Sequence, residues 1–172
     1  KTKEVRNENG DLVSSVERHI EPFGWGDAVV KKIEEPNGEA LSTTYEYYTD
    51  DSESGRFSKD RLRVNPDGSW TRWDYDSEGR KIQEVTPWLD SAPDAPADQA
   101  REKTFSYTPV DSRDSGAEFF DARPRTIIEK AQGTEISRTY RAYLTENATG
   151  EFVVIEEQAT EQGAAYGAAS SL

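Results

Sequence analysis

The sequence predicts an all-β fold of repeated antiparallel hairpins, and three observations indicate it. Turns closed by glycine recur along the chain, at Asn9-Gly10, Asn37-Gly38, Asp67-Gly68, Glu78-Gly79, Gln132-Gly133 and Thr149-Gly150. The segments between these turns are short, alternating and rich in β-branched and aromatic residues. Pro36-Asn37-Gly38 returns as Pro66-Asp67-Gly68, which indicates an internal repeat. We therefore expect an extended sheet that can curl.

The turns have specific hairpin chemistry. In Asn65-Pro66-Asp67-Gly68 the proline presets φ for the first central position, and Gly68 can adopt the left-handed conformation that closes the turn. This is the pattern of a three-residue hairpin connection. Glu35-Pro36-Asn37-Gly38 has the same chemistry. In Asp76-Ser77-Glu78-Gly79 the carboxylate of Asp76 is expected to cap the backbone N–H groups of the turn.

The positions of these turns predict eleven strands. They are expected near residues 2–8, 11–20, 27–35, 40–49, 60–65, 69–76, 79–86, 102–109, 124–131, 134–144 and 151–158. Within 69–75 the alternation places Trp73 and Tyr75 on one face of the strand and Trp70, Arg72 and Asp74 on the other.

Two segments do not follow the strand pattern. Residues 89–100 are rich in Pro, Ala and Asp, which predicts a long surface loop near 87–101; the alternative is one short helical turn after Pro96. Residues 161–172 carry mostly small side chains and are interpreted as a flexible tail or linker. The remaining residues, 1–160, form one β-repeat region in this interpretation.

Tyr75-Asp76-Ser77-Glu78-Gly79-Arg80 resembles the Tyr-Asp-x-x-Gly-Arg core of the bacterial RHS/YD-repeat family. A partial match occurs at Tyr48-Thr49-Asp50…Gly55-Arg56, with two extra residues before the glycine. A weaker match occurs at Tyr143…Gly150, where the arginine is missing. The repeat positions expected to matter are Pro36, Asn37, Gly38, Pro66, Asp67, Gly68, Tyr75, Asp76, Gly79 and Arg80.

The resemblance implies a structural, non-enzymatic segment of a larger surface-exposed or secreted bacterial protein. Family members form long antiparallel sheets that can curl into a shell around a C-terminal toxin. The family's autoprocessing block, Asp-Pro-x-Gly-Leu, does not occur in this sequence. The implied partners are flanking repeats of the same polypeptide or a partner chain, and no cofactor is implied. The alternative is a carbohydrate- or protein-binding adhesin module that uses an exposed Trp/Tyr face.

Composition narrows the function classes. The chain has 172 residues, of which 33% are hydrophobic and 32% charged, and its net charge is −13. Such an acidic chain repels phosphate backbones and anionic lipid surfaces, so nucleic-acid binding is not expected. Because the sequence has no run of about 18 apolar residues, membrane insertion is not expected either. The absence of cysteine removes disulfides, thiol catalysis and Cys-ligated zinc. Because the chain begins at Lys1 without methionine, we expect a processed chain or a part of a longer one.

Three chemical interpretations compete with purely structural ones. Asp74, Asp76 and Glu78 have the alternate spacing of calcium ligands, but the twelfth position is Val85 and turn capping is the preferred interpretation. No metal is therefore expected. Trp70 and Trp88 are candidates for stacking on a ligand, with packing across strands as the alternative. His19 is the one histidine, and no nucleophile elbow accompanies it, so no catalytic residues are predicted.

Overall fold

The structure is a computed structural model that describes residues 1–172 except 37, 115–121, 146–151, 160 and 168–172 and the side chain of residue 152. The described residues form eleven strands, and the pairings between them are antiparallel. The predicted all-β fold is therefore confirmed. The described residues contain no helix that is long and apolar enough to cross a membrane.

The chain divides into two compact units, residues 1–79 and 80–172, and the boundary lies inside the Tyr75–Arg80 motif. In the first unit each strand pairs with the next one along the chain. Its strands are β1 (Thr2–Arg6), β2 (Leu12–Phe23), β3 (Gly26–Glu34), β4 (Leu41–Tyr47), β5 (Asp60–Val64) and β6 (Trp70–Tyr75).

The second unit repeats this sequential order. Each of its strands also pairs with its neighbour in sequence. The strands are β7 (Lys81–Thr86), β8 (Arg101–Ser106), β9 (Thr126–Ala131), β10 (Thr134–Thr145) and β11 (Phe152–Gln158). A long loop, residues 87–100, joins β7 to β8 and contains one turn of 3-10 helix at Ala97–Gln99, directly after Pro96.

Strand β2 shows why one predicted boundary is wrong. The sequence predicts an end near residue 20, before Pro22, whereas β2 runs on to Phe23 and Pro22 pairs with Asp27 of β3. The pairing of β1 with β2 extends only as far as Glu17. Pro22 therefore lies where β2 has a partner on one side, and a missing N–H on the other side costs no ladder hydrogen bond.

The hydrophobic core is thin in both units. Among the described residues the buried hydrophobic side chains are Trp70 in the first unit and Val85, Ala100, Tyr140, Ala142 and Tyr143 in the second. Most other strand residues are half-buried on both faces of their strands. A sheet with so little apolar burial needs additional contacts between its strands.

Candidate functional site

The turn after β5 has the predicted geometry. Gly68 has a φ of 81°, and its N–H donates to the carbonyl of Asn65 over 3.0 Å. The Asp67 Oδ1 atom accepts hydrogen bonds from the Ser69 hydroxyl (2.6 Å) and the Ser69 N–H (2.9 Å). These bonds lower the pKa of Asp67, because they favour its charged form. Pro66 and Asp67 therefore serve the turn itself.

The turn after β6 has the same construction without the proline. The Gly79 N–H donates to the carbonyl of Asp76 over 3.0 Å, and Gly79 has a φ of 78°. The Asp76 Oδ1 atom accepts from the Glu78 N–H at 3.1 Å. The predicted capping role of Asp76 is confirmed.

The connection between β3 and β4 differs from the prediction. Gly38 and Ala40 both donate from their N–H groups to the carbonyl of Glu35, over 2.8 and 3.2 Å. Left-handed φ values occur at Glu35 (51°) and at Ala40 (53°). The loop therefore runs beyond Pro36 and Gly38 and closes at Ala40. Asn37 lies outside the described residues.

The partial repeat at Tyr48–Arg56 forms a loop that packs on the turn of the full repeat. This 49–58 loop is closed at its base by hydrogen bonds from the Tyr48 N–H to the Lys59 carbonyl and from the Ser58 N–H to the Tyr48 carbonyl, both 3.0 Å long. Its buried residue Gly55 lies so close to the turn that an added Cβ would meet the Asp76 carbonyl oxygen at 2.0 Å. Only glycine permits this approach.

Arg56 attaches the same loop to β6. Its Nε atom donates to the Tyr75 carbonyl at 3.2 Å and lies 3.0 Å from Asp74 Oδ1. Its guanidinium also lies over the Tyr48 ring, 5.7 Å from the ring centroid. The arginine of the partial repeat therefore contacts the aromatic strand of the full repeat.

Tyr48 completes this attachment. Its hydroxyl donates to the Trp73 carbonyl over 2.9 Å, and its ring meets that of Tyr75 edge to face at a centroid distance of 6.3 Å. Burial, followed by the charge of Asp74, raises the pKa of Tyr48. The hydroxyl is therefore held protonated, as a donor to the backbone of β6 needs to be.

The second unit contains two further contacts between an arginine and a tyrosine ring. The Arg80 guanidinium lies 4.4 Å from the Tyr107 ring centroid, and the Tyr107 hydroxyl donates to the Lys81 carbonyl over 2.8 Å. The Arg125 guanidinium lies 4.7 Å from the ring centroid of Tyr143. Gly150, which the sequence assigned to the repeat at Tyr143, lies outside the described residues.

Arg125 is also half of a buried ion pair. Its side chain is 2% exposed and that of Asp114 is 0% exposed, and two bonds of 3.0 and 3.1 Å join the guanidinium to the carboxylate. The Nη1 atom of Arg125 also donates a hydrogen bond to the Arg123 carbonyl over 2.9 Å. Sequence reasoning missed this pair because Asp114 belongs to a connection without strand or motif signals.

Residues 161–167, which the sequence interprets as part of a flexible tail, are attached to the second unit. The Tyr140 hydroxyl donates to the Ala164 carbonyl over 2.6 Å, and the rings of Tyr140 and Tyr166 lie 5.9 Å apart. The Gly163 N–H donates to Glu135 Oε1 at 3.1 Å. These contacts attach the segment to β10, and Tyr166 provides the bulk that its small neighbours lack. Residues 168–172 lie outside the described part of the chain.

Glu135 is a strongly perturbed carboxylate of this attachment. Hydrogen bonds from the Arg138 guanidinium, and then from the Gly163 N–H, lower the pKa of Glu135 to about 2. The pKa is lowered on folding, so the stabilisation is present above the ordinary value of 4.5 and is lost as the pH falls towards 2. The attachment of residues 161–167 is therefore sensitive to acid.

The calcium alternative does not fit the geometry. The Asp74 Oδ1 atom accepts from the Tyr75 N–H at 2.8 Å and faces Arg56, while Asp76 caps its own turn. Glu78 Oε1 accepts from the Ser77 hydroxyl at 2.9 Å. Over the described ranges, no three acidic or histidine side chains group as cation ligands. The carboxylates stabilise turns and an ion pair.

The burial of Trp70 contradicts the hypothesis that its ring stacks on a ligand. Trp70 is only 2% exposed and cannot stack on a ligand from solvent. Alternation predicted that Trp70 and Trp73 lie on opposite faces, but it did not determine which face is covered. Trp88 is half-buried, and the Arg101 guanidinium lies 5.0 Å from its ring centroid. Of the two predicted stacking residues, only Trp88 retains an accessible ring.

The comparison with protein-family models gives no match for this chain. The comparison with curated proteins gives no match either.

Proposed function

We propose that this chain is a structural, non-enzymatic β-repeat segment of the RHS/YD type, which acts as a shell or scaffold in a larger bacterial protein. The single observation that carries the proposal is the recurrent packing of an arginine on a tyrosine, in which at least one of the two residues belongs to a full or partial repeat. It occurs at Arg56–Tyr48, Arg80–Tyr107 and Arg125–Tyr143, at centroid distances of 5.7, 4.4 and 4.7 Å. The motif side chains are engaged in holding strands and loops together.

These contacts belong to a wider pattern. At least nine contacts between a cation and an aromatic ring lie within the described residues. Because the hydrophobic core is thin, we infer that these contacts provide much of the cohesion between strands. A wall stabilised by its own surface side chains needs no second layer.

We also propose that the protein is exposed on the cell surface or secreted. A sheet whose charged and aromatic side chains pack on each other can face solvent on both sides, as a shell wall does. The proposed partners are flanking repeats of the same polypeptide or a partner chain. Neither a metal, a cofactor nor nucleic acid has a role in the proposal.

The alternative is an adhesin module that binds carbohydrate or protein. Trp88 favours it, because this ring is half-buried on the 87–100 loop and the neighbouring Leu89 is 83% exposed. Aromatic rings and exposed apolar side chains on loops are common anchors at binding surfaces.

Thermal unfolding in the presence of a glycan panel separates the two functions. A ligand that binds the folded state raises the Tm, and the increase grows with the logarithm of its concentration once this exceeds Kd. A scaffold predicts no shift with any glycan, and a clear loss of stability in Arg80→Ala. An adhesin predicts a shift that disappears in Trp88→Ala while the fold is retained. A Tm increase with a glycan that is lost in Trp88→Ala would therefore refute the scaffold function and support the adhesin.

A further inference from the structure

Within the described residues no strand pairs with the outer edge of β11. β11 is the last strand of the sequential order and pairs, within the described residues, with β10 alone. Val153 and Val154 are 43% and 48% exposed, and no charge or proline interrupts residues 152–155. Natural proteins usually blunt such an edge with Lys, Pro or a bulge, since it otherwise accepts another strand.

The segment after β11 does not provide that protection. The contacts of residues 161–167 are made to Tyr140, Glu135, Glu157 and Asp111. Glu157 pairs with Tyr140 across β10 and β11, so the two side chains lie on the same face of the sheet. The segment therefore covers a face, while the outer N–H and C=O groups of β11 point along the plane of the sheet.

The first strand of the chain has complementary chemistry. All five residues of β1 are exposed, including Val5 at 45%. Lys3 lies two positions before Val5, on the same face of its strand, while Glu156 lies two positions after Val154. An antiparallel pairing that places Val5 opposite Val154 therefore also places Lys3 opposite Glu156.

We propose that the edge of β11 binds β1 of a second copy of this chain, in the register Val5 opposite Val154. The inference deepens the proposed scaffold function and rests on it, because it names the partner strand through which a wall would extend. The contact is head-to-tail, so it generates open-ended assemblies rather than closed dimers.

The charges disfavour one of the two neighbouring registers. A shift by one residue in one direction places Glu4 opposite Glu156, and like charges directly opposite each other are destabilising. A shift in the other direction places Glu4 opposite Val154 and separates Lys3 from Glu156. The proposed register joins Val5 to Val154 and Lys3 to Glu156, and it places no like charges opposite each other.

Sedimentation velocity over a wide range of protein concentration tests the proposal. We expect the wild-type chain to associate reversibly, at an ionic strength that screens its net charge of −13. Val154→Asp and Val5→Asp should each weaken the association by more than about tenfold. The double variant Val5→Lys, Val154→Asp should recover it, because the new charges are opposite each other only in this register. Ile136→Asp is the matched control, since Ile136 is 60% exposed on the interior strand β10.

Three outcomes would overturn the proposal: a wild-type chain that stays monomeric, a Val154→Asp chain that associates as the wild type does, or a double variant that fails to recover. None of these results alters the arginine–tyrosine contacts within one chain. The scaffold function is tested separately by glycan binding and by the stability of Arg80→Ala, so the two failures are distinguishable.

Discussion

Replacing Gly55 with alanine tests the packing of the partial repeat on the full one. The new Cβ would lie 2.0 Å from the Asp76 carbonyl oxygen and 2.6 Å from the carbonyl carbon and oxygen of Ser77. These are backbone atoms, so no flexible side chain can move aside. The 49–58 loop has to lift away from the turn, or the turn has to move.

The cost follows from the contacts that are lost. Overpacking by a methyl group costs about 1–3 kcal/mol. A displaced loop also weakens the charge-assisted bond from Arg56 to the Tyr75 carbonyl, a type of bond worth about 1.5–3 kcal/mol when fully formed. Since the Arg56 side chain is 34% exposed, solvent screens part of this second contribution. We expect Gly55→Ala to reduce the free energy of unfolding by about 3 kcal/mol.

Two other glycines provide a graded control. Gly68 has a φ of 81° and open space around its Cβ position, so Gly68→Ala should cost only the left-handed conformation, about 1–2 kcal/mol. At Gly24 an added Cβ meets nothing nearer than Phe57 Cζ at 4.0 Å, and Gly24→Ala should lie within about 0.5 kcal/mol of wild type. Urea unfolding, followed by tryptophan fluorescence, measures the stability of all three variants. A Gly55→Ala chain as stable as Gly24→Ala would refute the reasoning.

Three further predictions concern the other attachments. Asp114→Asn leaves the Arg125 charge buried without its carboxylate, so the free energy of unfolding measured in urea should fall by about 3–5 kcal/mol. An unchanged urea midpoint would contradict the burial of the pair. Glu135→Gln removes a carboxylate whose pKa is lowered to about 2, so stability measured from pH 7 down to pH 3 should fall less steeply than in wild type. Parallel curves would show that Glu135 does not cause the acid sensitivity. Tyr48→Phe removes the bond to the Trp73 carbonyl and should cost about 1 kcal/mol in the same unfolding assay, with no change in secondary structure by circular dichroism.

The parts of the fold that local chemistry determines could be predicted from the sequence. The conformations at Gly68 and Gly79 follow from the turn residues themselves, and the strands lie between such turns. The helical turn at Ala97–Gln99 likewise follows Pro96, as the alternative for this loop predicts. In each of these cases the determining residues are within a few positions of one another.

Features that depend on contacts between distant residues could not be predicted in this way. The approach of Gly55 to Asp76 requires the folded position of a whole loop, although the Gly55-Arg56 pair was visible as a partial repeat. The pairing of Asp114 with Arg125 has no signal in spacing or composition. Trp70 was assigned correctly to one face of β6, but its burial depends on what covers that face. For the same reason alternation alone predicts sheets better than it predicts exposed binding residues.

The most direct test of the central claim, that the motif arginines hold this sheet together, is a double-mutant cycle between Arg80 and Tyr107. The structure places the guanidinium 4.4 Å from the ring centroid, and we expect a coupling energy of about 0.5–2 kcal/mol between Arg80→Ala and Tyr107→Ala in urea unfolding. If the losses of unfolding free energy in the two single variants sum to that of the double variant within about 0.3 kcal/mol, the claim is contradicted.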